Sequence, residues 1–278
     1  MSGEHIEKSV EKAPKPKNQI SVFVKRKWTF TIAFLGVFVL YFISSNVTDF
    51  KIIESITSIP KAFTWVAQNF IPDERAWSRL PLILEFLTEA ALVSVAVTVC
   101  AAICSFFFSL LGTRTTKTNP IIARAVRIIA AFFRNVPDVV WAILLLFSFG
   151  QNILTGFFAL FFYTFGTLTR AFIETIDEVC SSCVEALRAT GATNLQIVFQ
   201  GIIPSTMSII VSWVLYMIET NIRASTLIGV LTATGIGYLF DVYYKRMDYS
   251  SAGLVVISIV VLVITIELIS NRIRKVIM

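Results

Sequence analysis

The stretch ETIDEVCSSCVEALRATGATNLQIVFQGIIP, Glu174 to Pro204, is a polar island set between two long apolar segments. Its local physics predicts a pair of short helices. Ser182 with Glu185 three positions on has the spacing of a capping box, which starts a helix, and Gly191 is suited to end one in a left-handed turn. Thr193 with Gln196 repeats the start signal, and Leu195, Val198, Phe199 and Ile202 then recur at helical spacing as an apolar stripe leading into Pro204. A first helix of about two turns is too short to stand alone, because nucleation is costly and few bonds follow it. A partner is therefore expected to hold it.

The rest of the composition decides the solvent. Hydrophobic residues make up 56% of the 278, charged residues only 15%, and the mean hydropathy is +0.76. Soluble domains carry about 25% charged residues, so an integral membrane protein is expected. The +6 balance then bears on topology, and no nucleic-acid partner is expected. Cys180 and Cys183 form a CxxC without a second pair or a nearby histidine, and Cys100 and Cys104 sit in an apolar run. Zinc or redox chemistry needs more than this, so the four are read as small buried residues. The one histidine is His5. No phosphate-binding GxxxxGK[ST] loop, nucleophile elbow or HExxH helix appears, so no catalytic, cofactor or metal site is expected. Any uphill transport must draw its energy from another subunit.

Taken in order, residues 1–27 read as a cytoplasmic tail ending in Lys25, Arg26 and Lys27, and 28–45 as an N-terminal transmembrane helix with its positive flank inside. Residues 46–80 read as an external loop with an interfacial helix after Pro60, its apolar face formed by Ile59, Phe63, Val66, Ala67 and Phe70. A core of further membrane-spanning helices, 81–278, follows. Its spans are expected at 81–111, 136–150, 153–169, 205–221 and 251–270, making six in all with the first. Glu85 and Glu89 share a face near the outer end of the second span, where carboxylates must find protein or water. Most of the 24 Lys and Arg fall in the segments this scheme places inside, which puts both termini and the loop 174–204 in the cytoplasm.

Glu219 and Arg223 are one helical turn apart and can pair; they are expected on the order of 20 to 30 Å up the fifth span. Arg223 either guides an anion or merely balances Glu219 in packing. With Asn221 and the glycines Gly235 and Gly237 they mark a candidate pathway and gate, and broken helix is expected from Ser225 to Phe240.

The residues Glu185-Ala186-Leu187-Arg188-Ala189-Thr190-Gly191, with Pro204 thirteen positions beyond, resemble the EAA loop of ABC-importer permeases. Leu187 stands where that pattern has its second alanine, and Gly201-Ile202-Ile203-Pro204 departs from its Ile-x-Leu-Pro end. The stretch Arg134-Asn135-Val136-Pro137-Asp138-Val139-Val140-Trp141-Ala142 and the segment Glu219-Thr220-Asn221-Ile222-Arg223 with its following glycines are similar to phosphonate-importer permeases. The resemblance implies an all-α, type I permease-like bundle of the bacterial inner membrane. It implies ATPase coupling through Glu185, Ala186, Leu187, Gly191 and Pro204. The implied partners are a second permease subunit, identical or paralogous, two ATPase subunits carrying ATP and Mg, and an external substrate-binding protein. The implied cargo is phosphonate or a related oxyanion such as phosphite or phosphate. A permease for another small solute such as an amino acid, or an ATPase-independent channel or carrier, is the alternative.

Overall fold

The computed structural model describes residues 19–48, 50–115 and 119–277; the tail up to residue 18, with His5, and Lys117 lie outside the described residues. The chain forms two compact units, Met1–Trp65 and Val66–Met278. Every described element is helical: α1 (Gln19–Val47), α2 (Ile52–Asn69), α3 (Glu74–Ser78), α4 (Leu80–Gly112), α5 (Pro120–Asn135), α6 (Asp138–Phe149), α7 (Ile153–Val179), α8 (Ser181–Ala189), α9 (Asn194–Gln196), a π-helical segment (Ile197–Ile202), α10 (Ile203–Thr232), α11 (Gly235–Lys245) and α12 (Tyr249–Ile277).

The first helix begins earlier than expected: α1 starts at Gln19, nine residues ahead of Trp28, and already runs through Lys25, Arg26 and Lys27. Hydroxyls contribute to this: Thr29 and Thr31 each bond back to the carbonyl four residues earlier, on Lys25 and Lys27. Helix α2 likewise starts at Ile52 and carries Pro60 inside it instead of at its start. Of the apolar face expected there, Ile59, Phe63 and Val66 are exposed, whereas Phe70 follows the end of the helix and stacks on Tyr249.

In the main unit the number of spans depends on one bend. Among the described residues five helices, α1 included, are long and apolar enough to cross a membrane, and α5 with α6 adds a sixth only if this pair, bent by 89°, counts as one span. The separate span expected at 136–150 is corrected: α6 has 12 residues, about 18 Å, against a hydrocarbon core of about 30 Å. Pro137 explains the break, since it bars Val136 from helical backbone and caps α6 instead. Helix α4 buries Ser94, Thr98, Ala101, Ser105, Ser109 and Gly112 along one stripe, chiefly against α7. Small residues permit that close approach where hydrophobic burial gives no drive between helices in lipid. Across the middle of the bundle, the Asn221 amide on α10 donates to Thr98 on α4 at 2.8 Å and to Thr164 on α7 at 2.9 Å.

The two ends differ. One, here the basic end, gathers Thr113, Arg127, Asp177, α8 and the close of α12. At the far end Arg79 Nη1 donates to Asp248 and to Ser251, and its guanidinium lies 5.0 Å from the Tyr243 ring centre. This clamp joins the start of α4 to the α11–α12 turn. Burial pushes the Asp248 carboxyl up, but hydrogen bonds from Ser251 and Arg79 outweigh it and leave it below its ordinary 3.8. The folded protein thus favours the ionised form, a stabilisation present above the ordinary value and lost as pH falls through the lowered one. Melting temperatures of wild type and Asp248→Asn should therefore differ by a constant amount from about pH 7 to pH 5 and converge only below about 3.8.

Helices α10 and α11 cross on glycines. A Cβ added at Gly237 would lie 1.9 Å from the Thr226 carbonyl oxygen, and one at Gly229 2.4 Å from that of Thr234. Gly237→Ala should cost at least about 1–3 kcal/mol, as overpacking does, and lower the thermal midpoint in detergent by several degrees. Gly36→Ala, where nothing lies within 4 Å of the new atom, should leave it unchanged.

Candidate functional site: a capped knuckle and a charged helix face

Helix α7 runs to Val179, so the expected polar island begins inside a helix, where Arg170 and Glu174 pair at 2.6 Å. Helix α8 then starts on Cys180, which accepts no side-chain cap role, and the expected Ser182–Glu185 box does not form. The reason is continuity: Val184 N bonds to the Cys180 carbonyl almost directly after α7 ends, leaving no extended residue for Ser182 to cap. Burial pushes the Cys180 thiol up, with Cys183 adding to the shift, which suits an inert core residue.

The second half of the knuckle follows the expected turn chemistry. Gly191 has φ +83, with Ala192 N bonding to Leu187 O and Gly191 N to Arg188 O, the paired bonds of a Schellman end. Thr193 and Gln196 form a reciprocal capping box. The apolar stripe is corrected, however: Ile197 and Ile202 are buried, while Leu195 and Phe199 are exposed. The intervening π segment adds a residue to the turn and shifts the helical phase. Pro204 sits in the first turn of α10 and does not end the run, since a missing N–H is tolerated there.

The knuckle is held from beneath by Val184, Leu187, Ile176, Cys180, Ile197 and Ile202. Here the two sequence departures prove complementary. A Cβ at Gly201 would come within 2.8 Å of the Leu187 side chain and 3.5 Å of the Cys183 sulfur, so the larger residue on α8 occupies the space the smaller one leaves. On the other side Glu185 and Ala186 are exposed. Beside them Arg114, Asp177, Glu185 and Arg188 line a groove of about 540 Å³.

Asp177, which sequence reasoning passed over, organises this end. One carboxylate oxygen accepts from Arg114 N at 2.9 Å, Thr115 N at 3.2 Å, Thr115 Oγ1 at 2.9 Å and the Thr113 hydroxyl. The other accepts from Arg127 Nη2 at 3.2 Å, while Arg127 Nε bonds to the Gly112 carbonyl. A signal existed: an acid in the last turn of a helix opposes the macrodipole, so Asp177 needed compensating donors.

The candidate pathway residues do not share one surface. Arg223 and Glu219 pair at 3.2 Å, and Arg274 from α12 approaches the second Glu219 oxygen at 3.9 Å. Asn221, two positions from each, is 1% exposed and turned into the bundle, so it clips helices together instead of facing a pathway. The broken stretch expected at 225–240 narrows to Ala233 and Thr234, with α10 ending on a left-handed Ala233 and α11 starting at Gly235. Gly235, at φ +57, packs against Ala90, and Gly237 against α10. Glu85 is exposed; Glu89 lies beside Gly229 and Gly235 at this break.

The model of the family described as binding-protein-dependent transport system inner membrane component matches residues 108–277. Among relatives, the phosphite transport system permease protein PtxC of Stutzerimonas stutzeri is 28% identical over 223 residues, 79% of each chain. The phosphate-import permease protein PhnE of Mycolicibacterium smegmatis is 28% identical over 190 residues, 68% of this chain and 36% of that one. PhnE2 of Escherichia coli K12, named for a cryptic phosphonate transport system, is 32% identical over 117 residues, 42% of this chain and 96% of that one. In fold, an inward-facing structure of the MetNI methionine ABC transporter superposes with a TM-score of 0.59 at 20% identity, covering 70% of this chain and 97% of that one. The helical order is thus that of type I ABC importer permeases, and the matched region spans both the knuckle and the charged face of α10. The chain belongs to the family of inner membrane components of binding-protein-dependent transport systems.

Proposed function

We propose that this protein is the permease subunit of an ATP-driven importer for phosphonate or a kindred oxyanion, phosphite or phosphate. The observation that carries the ATP-driven half is the knuckle itself. A nine-residue helix is packed on one side, capped at its end by the Gly191 turn and left with Glu185 and Ala186 facing outward at the basic end of a bundle whose sequence carries no GxxxxGK[ST] phosphate loop. The oxyanion half rests on the substrates for which the relatives are named and on Arg223 of α10 and Arg274 of α12, which approach Glu219 from two helices.

In this reading Glu185, Ala186, Leu187, Gly191 and Pro204 form the coupling element in the cytoplasm, with both termini on the same side. Two permease subunits, one copy and either its twin or a paralogue, enclose the pathway in the bacterial inner membrane. Two ATPase subunits, which bring ATP and Mg, seat the two knuckles, and an external binding protein delivers cargo at the far end. The residues divide accordingly, with 1–27 as tail, 28–45 as membrane anchor, 46–80 as external loop and 81–278 as core. ATP-driven closure brings the knuckles together, and the packed helices rock as rigid bodies between inward and outward access.

Reversing the charge of an exposed docking residue changes association without touching the core. Glu185→Lys in the assembled complex should leave expression and melting unchanged while lowering oxyanion uptake per ATP hydrolysed by at least about tenfold, equivalent to 1.4 kcal/mol of coupling. Uptake at the wild-type ratio would remove α8 from the coupling path. Purification from membranes should bring down a P-loop ATPase; a chain that conducts ions alone in liposomes would be a channel instead.

A further inference from the structure

The turn between α11 and α12 closes α11 in a Schellman motif: Asp248 N bonds to the Tyr243 carbonyl at 3.0 Å and Met247 N to the Tyr244 carbonyl at 3.0 Å. The residue that this motif bends into left-handed backbone is usually glycine, because a Cβ there crowds the chain. The same motif after α8 uses Gly191, at φ +83. Here the position holds Met247, at φ +57. Methionine costs backbone free energy in that conformation, and burial does not offset it, since Met247 is 75% exposed.

The turn is also firmly mounted. Asp248 accepts from Arg79 and from Ser251 N at 3.2 Å. Ser250 accepts from Asp73 N at 2.8 Å and donates to the Ile71 carbonyl at 3.2 Å. The Tyr244 ring stacks on Phe240 at 5.8 Å between centres and meets Tyr249 edge-on at 5.7 Å. What the turn leaves exposed is Tyr244, Met247 and Arg246. Arg246 makes no ion pair among the described residues, whereas Lys245 beside it is matched by Asp241 at 2.6 Å. Tyrosine, methionine and arginine are enriched at protein interfaces, and a mount that is rigid beforehand spares the cost of ordering a loop on contact. A fluid headgroup layer makes no such demand on geometry.

We infer that the α11–α12 turn is a docking knob for the external substrate-binding protein, which seats Met247 in a shallow apolar pocket and sets a carboxylate against Arg246. The knob rests on the importer reading above, in which this end faces outward, opposite α8. The family to which the chain belongs is one of binding-protein-dependent systems, so such a partner has to find a fixed contact on the permease. Pressure on the knob passes through Arg79 to the head of α4, and through α11, packed on α10 at Gly237, to the break at Ala233.

The test titrates the substrate-loaded binding protein of the same transport system onto the permease–ATPase assembly in nanodiscs, reading affinity by surface plasmon resonance and stimulation by ATP hydrolysis. Met247→Gly keeps the left-handed backbone and deletes the side chain. Its thermal midpoint should hold or rise while affinity falls by at least about tenfold. Arg246→Glu should weaken docking by a similar factor, and both variants should keep the hydrolysis rate seen without binding protein. A bimane on Met247→Cys, in a cysteine-free background, should be quenched by aqueous iodide until the binding protein is added. Quenching by nitroxide-labelled lipid headgroups instead would make the turn a membrane anchor, and protection before the binding protein is added would assign it to the second permease; either overturns the knob. A wild-type assembly that neither binds nor answers to the binding protein would overturn the importer reading and the knob with it. Wild-type docking that both variants preserve would remove the knob alone.

Discussion

Asp177 holds one end of the bundle together. Donors from the close of α4, from the turn after it and from α5 converge on a single carboxylate at the foot of α7, four residues before α8 begins. The helices of a membrane bundle gain little from burying apolar side chains against one another, since lipid tails are equally apolar. Directional bonds at the helix ends therefore decide which ends move together. Because Arg127 also ties down the Gly112 carbonyl, α4 and α5 cannot shift relative to α7 without breaking a charge-assisted bond. The knuckle consequently rests on a foundation shared by three helices.

The opposite end follows the same logic with different parts. Arg79 is spread between Asp248, Ser251 and the Tyr243 face, and the backbone of Gly253 touches the Phe70 carbonyl so closely that a Cβ would fall 2.0 Å from it. Between the two ends, Asn221 binds α4, α7 and α10 at mid-height. Polar ties at three levels, separated by small-residue stripes, give a bundle that tilts as a block.

Much of this was legible in the residues, and the exceptions have physical causes. Gly191, the Thr193–Gln196 box and the Glu219–Arg223 pair depend on contacts within one turn, which spacing alone encodes. The failed Ser182 cap and the displaced Leu195 and Phe199 depend on how α7 and the π segment set helical phase, information spread beyond any one window. Asn221 was placed with its neighbours by proximity in sequence, although two positions along a helix turn a side chain through about 200° and into the core. Asp177 and Arg274 depend on partners from distant elements and carry no local pattern. Leu187 and Gly201, each an irregularity by itself, became intelligible only as neighbours.

From Asn194 to Thr232 the backbone is one uninterrupted helical run of 39 residues. Such a rod, close to 60 Å long at about 1.5 Å per residue, resists compression and twist far more than the loops that flank it. Torque applied at its foot therefore emerges at its head, beside Ala233, with little lost on the way. The one compliant joint is the widened coil at Ile197–Ile202, which absorbs misalignment at the foot before it can strain the shaft.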